Sequence, residues 1–283
     1  MIKLCAFADE ASSALDGQIK ALNENNIPYI EVRGINGKSV INFTNEEAKD
    51  YCTQLADNGV AVWSIGSPLG KVDIRELDKE DYLKNVRHIC RLANIFKTNR
   101  VRVFSFFNGY EEKEKVFSYL QAMVDLAKEY GVELYHENEK DIYGDTVERV
   151  SEILEKVTGL KSVYDPTNFI QVGEDTKTAL ERLFSKTDYF HIKDVVRATK
   201  ELVPAGYGDG RINELIECIE SDKTLTLEPH LAVFSGYAQI DSTEMKHKFP
   251  FKNNTEAFDF AVTALKTLLQ KAGYKEIDGG FIK

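Results

Sequence analysis

The sequence predicts a single α/β domain, a (β/α)8 barrel over residues 1–273, followed by a short C-terminal tail, 274–283. Three observations carry that prediction. Short β-type runs alternate with segments of helical period from end to end, which is the signature of parallel βα units. The runs number eight, and 283 residues is a length that closed barrels of this kind reach as one unit.

The first strand is read at Ile2 to Ala8 and the second at Tyr29 to Arg33, with Ile19 and Leu22 marking the apolar face of the helix between them. Thr44 with Glu47 three residues on resembles a capping box for the next helix, and Gly59 stands where that helix should stop. Strand three follows at Val60 to Ile65 and strand four at Arg100 to Phe106. Leu120, Met123, Val124 and Ala127 recur at helical spacing, and Gly131 closes their helix. The remaining strands are Val132 to Glu137, Lys161 to Asp165, Tyr189 to Lys193 and Leu225 to Glu228, and Gly273 ends the last helix.

Two connections are long, Val195 to Arg211 after strand seven and Pro229 to Phe251 after strand eight. In a barrel both open on the C-terminal face, where such connections are usually functional. An open doubly wound sheet is disfavoured, because no GxGxxG turn follows the first strand and no P-loop occurs. No linker rich in Pro, Gly or Ser divides the chain.

With 43% hydrophobic and 29% charged residues the chain can bury a sizeable core. Its net charge of -10 argues against a nucleic-acid partner, since affinity for a phosphate backbone needs clustered Lys and Arg. A small, neutral or metal-chelated molecule is the expected partner, and assembly into a homo-oligomer is left open. No run of about 20 apolar residues suggests a membrane span, and the apolar run within Met1 to Glu10 is too brief for a leader. Cys5, Cys52, Cys90 and Cys218 are scattered singly, as reduced thiols of a cytoplasmic protein would be.

The chemistry collects where apolar strands finish. Strand five ends in His136-Glu137-Asn138-Glu139, strand six in Asp165-Pro166-Thr167-Asn168, strand seven in His191-Ile192-Lys193-Asp194 and strand eight in Glu228-Pro229-His230. Glu137, Asp165, His191 and Glu228 are 28, 26 and 37 residues apart, roughly one βα unit each, so four successive strands aim three carboxylates and an imidazole at one rim. Oxygen-rich donors of this kind suit one divalent ion, Mn²⁺ first, with Mg²⁺, Co²⁺ or Zn²⁺ as alternatives. Such an ion could take a hydroxyketone through its carbonyl and adjacent hydroxyl and acidify the C–H beside it.

With these residues the chain resembles the xylose isomerase-like barrels, in particular the sugar phosphate isomerase/epimerase group that includes the ketose 3-epimerases. The carriers are Leu134-Tyr135-His136-Glu137-Asn138, Val163-Tyr164-Asp165, Phe190-His191-Ile192-Lys193-Asp194, the Gly206-Tyr207-Gly208-Asp209-Gly210 loop and Leu227-Glu228. The resemblance implies that Glu137 and Glu228 are both ligands and catalytic groups, one removing a proton to leave a metal-held enediolate and the other returning a proton from the far side. It also implies that Arg197, six residues after the metal histidine, holds substrate hydroxyls. Two positions depart from the ketose epimerases. Asn168 stands where they have a histidine, and Tyr143 where they have a second glutamate, so substrate contacts at Asn168 and beyond differ and no sugar is named.

Each residue also has a plainer reading. His191 alone could be a strand-end histidine satisfied by backbone, but unpaired buried carboxylates at Glu137 and Glu228 would be costly and call for a partner. Glu139 and Asp194 read as solvated or as groups that orient ligands. His136 and His230 read as packed outside the ligand set. Lys71, after the Gly66-Ser67-Pro68-Leu69-Gly70 turn, is either a substrate contact or a solvated lysine. Trp63 and Phe106 are core residues before they are a sugar wall, and Glu31 with Arg33 is either a structural pair or part of the pocket.

A metal-dependent sugar epimerase or isomerase is therefore the expected function. A dehydratase acting on a keto-inositol or 3-keto sugar is the runner-up on the same site. An abasic-site endonuclease would need more than five histidines and a basic path, and an inactive sugar-binding barrel would not keep all four ligands. No basic phosphate nest is legible, which favours an unphosphorylated substrate.

Overall fold

The computed structural model describes residues 1–234 and 249–283. Eight parallel strands form the wall: β1 (Ile2–Ala6), β2 (Tyr29–Val32), β3 (Ala61–Gly66), β4 (Arg100–Val103), β5 (Glu133–Glu137), β6 (Lys161–Tyr164), β7 (Thr187–Ile192) and β8 (Lys223–Leu227). Each pairs with its neighbour in sequence, and β8 returns to β1 with Ile2 opposite Lys223 and Ala6 opposite Leu227, closing the barrel. All eight stand where the sequence predicts. Most stop slightly short, and in four of them the residue just past the ladder is a charged group of the site: Arg33, Asp165, Lys193 and Glu228.

Helices cover the outside: α1 (Leu15–Glu24), α2 (Asn45–Asp57), α3 (Lys79–Ile95), α4 (Lys113–Glu129), α5 (Val147–Lys156), α6 (Pro166–Gln171), α7 (Thr176–Leu183), α8 (Ile212–Glu217) and α9 (Asn254–Lys271). The capping box of α2 forms, with Glu47 N donating to Thr44 Oγ1 at 3.1 Å and Thr44 N donating to Glu47 Oε2 at 2.7 Å. Leu120, Met123, Val124 and Ala127 form the buried face of α4. None of the described helices is long and apolar enough to cross a membrane.

The main core lies between strands and helices, and a second, smaller cluster of Tyr135, Val163 and Tyr189 fills the lumen. This second cluster sets up the site. Side chains two residues apart share a face of a strand, so Tyr135, Val163 and Tyr189 form a floor beneath Glu137, Asp165 and His191.

The last ten residues form a hairpin where the sequence suggested only a short tail. Strands β9 (Lys275–Ile277) and β10 (Gly280–Ile282) join through Asp278-Gly279, and β10 runs antiparallel to β1 with Phe281 opposite Ile2. Burial of Phe281 fixes it there. Of the long connection predicted from Pro229 to Phe251, residues 235–248 lie outside the described residues.

Candidate metal centre

Glu137 ends β5, Asp165 follows β6, His191 lies in β7 and Glu228 follows β8, and one ligand atom from each lies within 4.8 Å of the others. All four side chains are buried. His191 Nδ1 stands 2.9 Å from Glu137 Oε1 and 3.2 Å from Glu228 Oε2, so the imidazole sits between the two glutamates. Its other nitrogen, Nε2, is 3.3 Å from Glu31 Oε2. When Nε2 donates to Glu31, the lone pair of Nδ1 faces the carboxylates, which is how a buried acid selects the ligating nitrogen of a histidine.

Asp165 is oriented by the chain that follows it. Its Oδ1 caps α6, accepting from Thr167 N at 2.7 Å and Asn168 N at 3.1 Å, with Pro166 at the start of the helix. Asn138 clamps the same residue, its side chain donating to Asp165 O and accepting from Asp165 N, both at 2.9 Å. These contacts commit one carboxylate oxygen to the helix and leave Oδ2 for the cluster. Asp165 Oδ2 and Glu228 Oε2 are buried and accept no well-directed hydrogen bond, although Lys193 Nζ stands 2.9 Å from the first.

Arginines from nearby strands back the two glutamates. Arg102 of β4 donates from Nη1 to Glu137 Oε2 at 2.6 Å, and Arg33, just beyond β2, donates from Nη1 to Glu228 Oε1 at 2.8 Å. Asp9 grips Arg33 through two bonds of 2.9 Å. Within this buried network Arg33, Arg102 and Lys193 face six carboxylates: Asp9, Glu10, Glu31, Glu137, Asp165 and Glu228. Three negative charges remain uncompensated if all are ionised, a costly condition in a low-dielectric interior.

Where no ion is present, protons take up part of that excess. Burial, opposed by Lys193 and reinforced by Glu137 and Glu228, raises Asp165 to about 7. Burial pulls the His191 imidazole down, but Glu137 and Glu31 outweigh it and hold the ring well above its ordinary value. Burial, opposed by Arg33 and reinforced by Glu228 and Asp9, raises Glu10 to about 8. The three oxygens, one nitrogen, two oxygens without hydrogen bonds and the charge excess fit a divalent cation at Glu137, Asp165, His191 and Glu228.

A cavity of about 230 Å³ opens beside this cluster, below the roughly 300–1,000 Å³ of drug-sized ligand sites. The proposed ligands do not line it; Arg33 and Arg102, which hold the two glutamates, form its wall. Lys71 lines it as well, 2.9 Å from Glu139 Oε2 and over the ring of Phe104. Gly70 makes that position attainable, because its backbone has a φ of +91° and a Cβ there would meet Phe104 O at 2.0 Å.

The other expected residues are placed as follows. Asn168 is buried against the centre, donating to Asn138 O at 2.9 Å and lying 3.5 Å from Glu137 Oε1. Arg197 is not brought into the cavity lining: its Nη2 donates to Glu174 O at 2.7 Å in the loop between α6 and α7. Tyr143 also turns away, its hydroxyl donating to Glu152. His136 packs on the helix side of β5, as expected. His230 corrects the sequence reading. The chain leaves the strand after Leu227, and a positive φ of 47° at His230 puts Nε2 3.4 Å from Glu228 Oε1 and 3.3 Å from Glu10 Oε1.

Asp194 serves a loop: it accepts from the amides of Val195, Gly206, Gly208 and Gly210 at 2.8–3.0 Å and so shapes the glycine-rich segment after β7. Phe106 packs in the core against Tyr82 and Tyr119, and Phe104 is the aromatic residue of the cavity. Arg102 and the Asp9-Glu10 pair were not singled out from sequence. The signal for Arg102 was present in Arg100-Val101-Arg102-Val103, where a charge alternates with valines that must face the helices.

The sequence profile of the xylose isomerase-like TIM barrel family matches residues 19–231. Among solved structures, L-ribulose 3-epimerase is similar with a TM-score of 0.73 and 17% identity, over 96% of this chain and 97% of that one. The probable 3-DHS dehydratase AsbF, involved in petrobactin synthesis in Bacillus anthracis, gives 0.72 and 17% over 94% and 99%. The IOLI protein, solved with a zinc atom, gives 0.72 and 16% over 95% and 99%. These identities establish likeness of fold. A search of curated proteins by sequence found no match.

Proposed function

Because the chain belongs to the xylose isomerase-like TIM barrel family, we propose that it is a divalent-metal-dependent sugar isomerase or epimerase. It acts on a ketose or related polyol ketone by proton transfer at the carbon beside the carbonyl. L-ribulose 3-epimerase, one of the similar folds, acts by its name on a ketose, and that is the substrate class proposed.

The observation that carries the reading is the pair Glu137 and Glu228. The two carboxylates come from different strands to the same imidazole nitrogen, and each is held by its own guanidinium. Two acids disposed in this way can reach the two faces of one planar carbon. Burial alone would push both up, but His191 and Arg102 bring Glu137 down to about 2, while Lys193 and His191 hold Glu228 well below the usual carboxylate range. Both are therefore ionised at neutral pH, and the one that returns a proton must first take it up. One takes the substrate proton and the other returns a proton, in an order set by the substrate's stereochemistry. Lys193, whose Nζ is 3.7 Å from Glu228 Oε2, is a charged proton source beside that carboxylate. A divalent ion held by Glu137, Asp165, His191 and Glu228, with Mn²⁺ the first candidate, would polarise the carbonyl and lower the pKa of the adjacent C–H.

Lys193 also favours a second reading, a dehydratase acting on a keto-inositol or 3-keto sugar. An ammonium 2.9 Å from Asp165 Oδ2 is a positive charge able to stabilise the oxygen of a departing β-hydroxyl, which takes up the abstracted proton. The base removes the proton beside the ketone, the C–O bond breaks with its electron pair, and water leaves.

The test is solvent exchange at carbon. Ketoses and keto-inositols are incubated in D₂O with the Mn²⁺-loaded protein, the ion is chelated, and NMR spectra are recorded for the wild type and Glu228→Gln. Deuterium uptake should fall by about 10²–10⁴-fold in the variant. A product with its water retained marks an isomerase or epimerase, and one with water lost marks a lyase. No exchange by protein shown to hold the ion would contradict both.

A further inference from the structure

Among the described residues, the cavity beside the centre is lined by Arg33, Lys38, Lys71 and Arg102 and by one carboxylate, Asp9. Each of these cations also contacts a carboxylate, and three of those partners, Glu47, Glu139 and Glu137, stand behind the wall rather than in the lining. Building on the isomerase or lyase reading of the same centre, we propose that the substrate carries an anionic oxygen group, a carboxylate or a phosphoryl ester, which this cavity receives.

Arg33 is taken up by Asp9, Glu10 and Glu228, so the capacity for a ligand rests on Arg102, with Lys38 and Lys71 as neighbouring charges. Lys38 is fixed by Glu47 at 2.7 Å and Lys71 by Glu139 at 2.9 Å, and none of Glu47, Glu139 and Glu137 lines the cavity. Arg102 makes one side-chain hydrogen bond among the described residues, to Glu137, and its buried Nε has no partner. A guanidinium offers five N–H donors in a planar fork. A buried fork with one bond made is poorly satisfied, and an oxyanion answers it with charge-assisted bonds about twice as strong as those a neutral hydroxyl provides. Phe104 supports both Arg102 and Lys71, each 4.5 Å from the centre of its ring, so the cations have an apolar backing that excludes water.

The centre itself adds to the effect. A divalent ion on Glu137 and Glu228 would share their charge, and Arg102 and Arg33 would then face the cavity with less compensation. The four cations come from the end of β2, the loop after it, the loop after β3 and the middle of β4, so no stretch of sequence shows them as a nest.

Full-length protein, with and without Mn²⁺, is titrated calorimetrically with D-ribulose, D-ribulose 5-phosphate and D-ribonate. At least one anion should bind about tenfold or more tightly than D-ribulose, the worth of one charge-assisted hydrogen bond. Which anion it is separates phosphoryl ester from carboxylate. The preference should shrink below about threefold in Arg102→Gln and in Lys71→Gln, the second variant standing clear of the ligands should the first fail to fold. Binding of Mn²⁺ is followed separately by electron paramagnetic resonance. Failure of the wild type to hold the ion would sink the metal-centre reading, while the anion preference is still read in the metal-free titration. No tighter binding of either anion than of D-ribulose, or a preference unchanged in both variants, overturns the proposal.

Discussion

Where β5 to β8 finish, acidic groups converge on a point; where β2 to β4 finish, cations converge on a cavity. Glu137, Asp165, His191 and Glu228 belong to the first region, and Arg33, Lys71 and Arg102 to the second. Among the described residues, the guanidiniums join the two regions at Arg102 to Glu137 and Arg33 to Glu228. A barrel turns inward residues of distant strands toward one another, so it can hold an excess of negative charge and its counter-charges a few ångströms apart. The acidic half suits a cation, and the basic half suits the anionic end of whatever the cation binds.

The division is most exposed to Arg102→Met. Removing this cation leaves buried Glu137 without its guanidinium, and losing one member of a buried pair typically costs about 3–5 kcal/mol. Urea unfolding of the metal-free variant should show a loss of that order, and addition of Mn²⁺ should recover part of it because the ion replaces the missing charge. Equal losses with and without Mn²⁺ would mean that the two halves are not coupled through Glu137.

A smaller effect should follow pH. In the metal-free protein Asp165 titrates near 7 and His191 well above its ordinary value, both being raised. An ion needs both groups without their protons, so protons compete with it. Affinity for Mn²⁺ should therefore rise as pH increases from 6 to 8, by up to about tenfold per unit for each proton displaced. Calorimetry in two buffers of different ionisation enthalpy should detect the protons released, and an affinity flat across this range would contradict the shared-charge picture.

The smallest effect is expected at Arg197. Its guanidinium is bonded to the Glu174 carbonyl outside the cavity lining. Arg197→Ala should change stability by no more than about 0.5 kcal/mol and leave KM within about threefold. A large rise in KM would support the substrate-holding role that the family resemblance implies.

The acidic half was legible in the sequence because each group stands at the end of an apolar run, one per strand, and needs only the alternation of strand and helix to be placed. Asp165 was doubly marked, since the Asp-Pro pair that presents one oxygen to the centre also starts α6. The basic half has no such signature. Arg33 reaches Glu228 across 195 residues, a contact created by closure of the barrel alone. His230 was misplaced because alternation turns only adjacent residues apart, whereas His230 stands two residues from Glu228 and reaches it. The terminal hairpin carried a legible Asp278-Gly279 turn, but the exposed residues of β9 conceal it as a strand.

The central claim is that Glu137, Asp165, His191 and Glu228 hold one divalent ion. Metal-free protein titrated with Mn²⁺, with the free ion followed by electron paramagnetic resonance, tests it most directly. The expected result is one ion per chain in the wild type, with affinity falling by about 100-fold or more in His191→Ala and Asp165→Asn, in line with the dependence of ion binding on deprotonated ligands. Failure of the wild type to take up an ion, or binding unchanged in both variants, would contradict it.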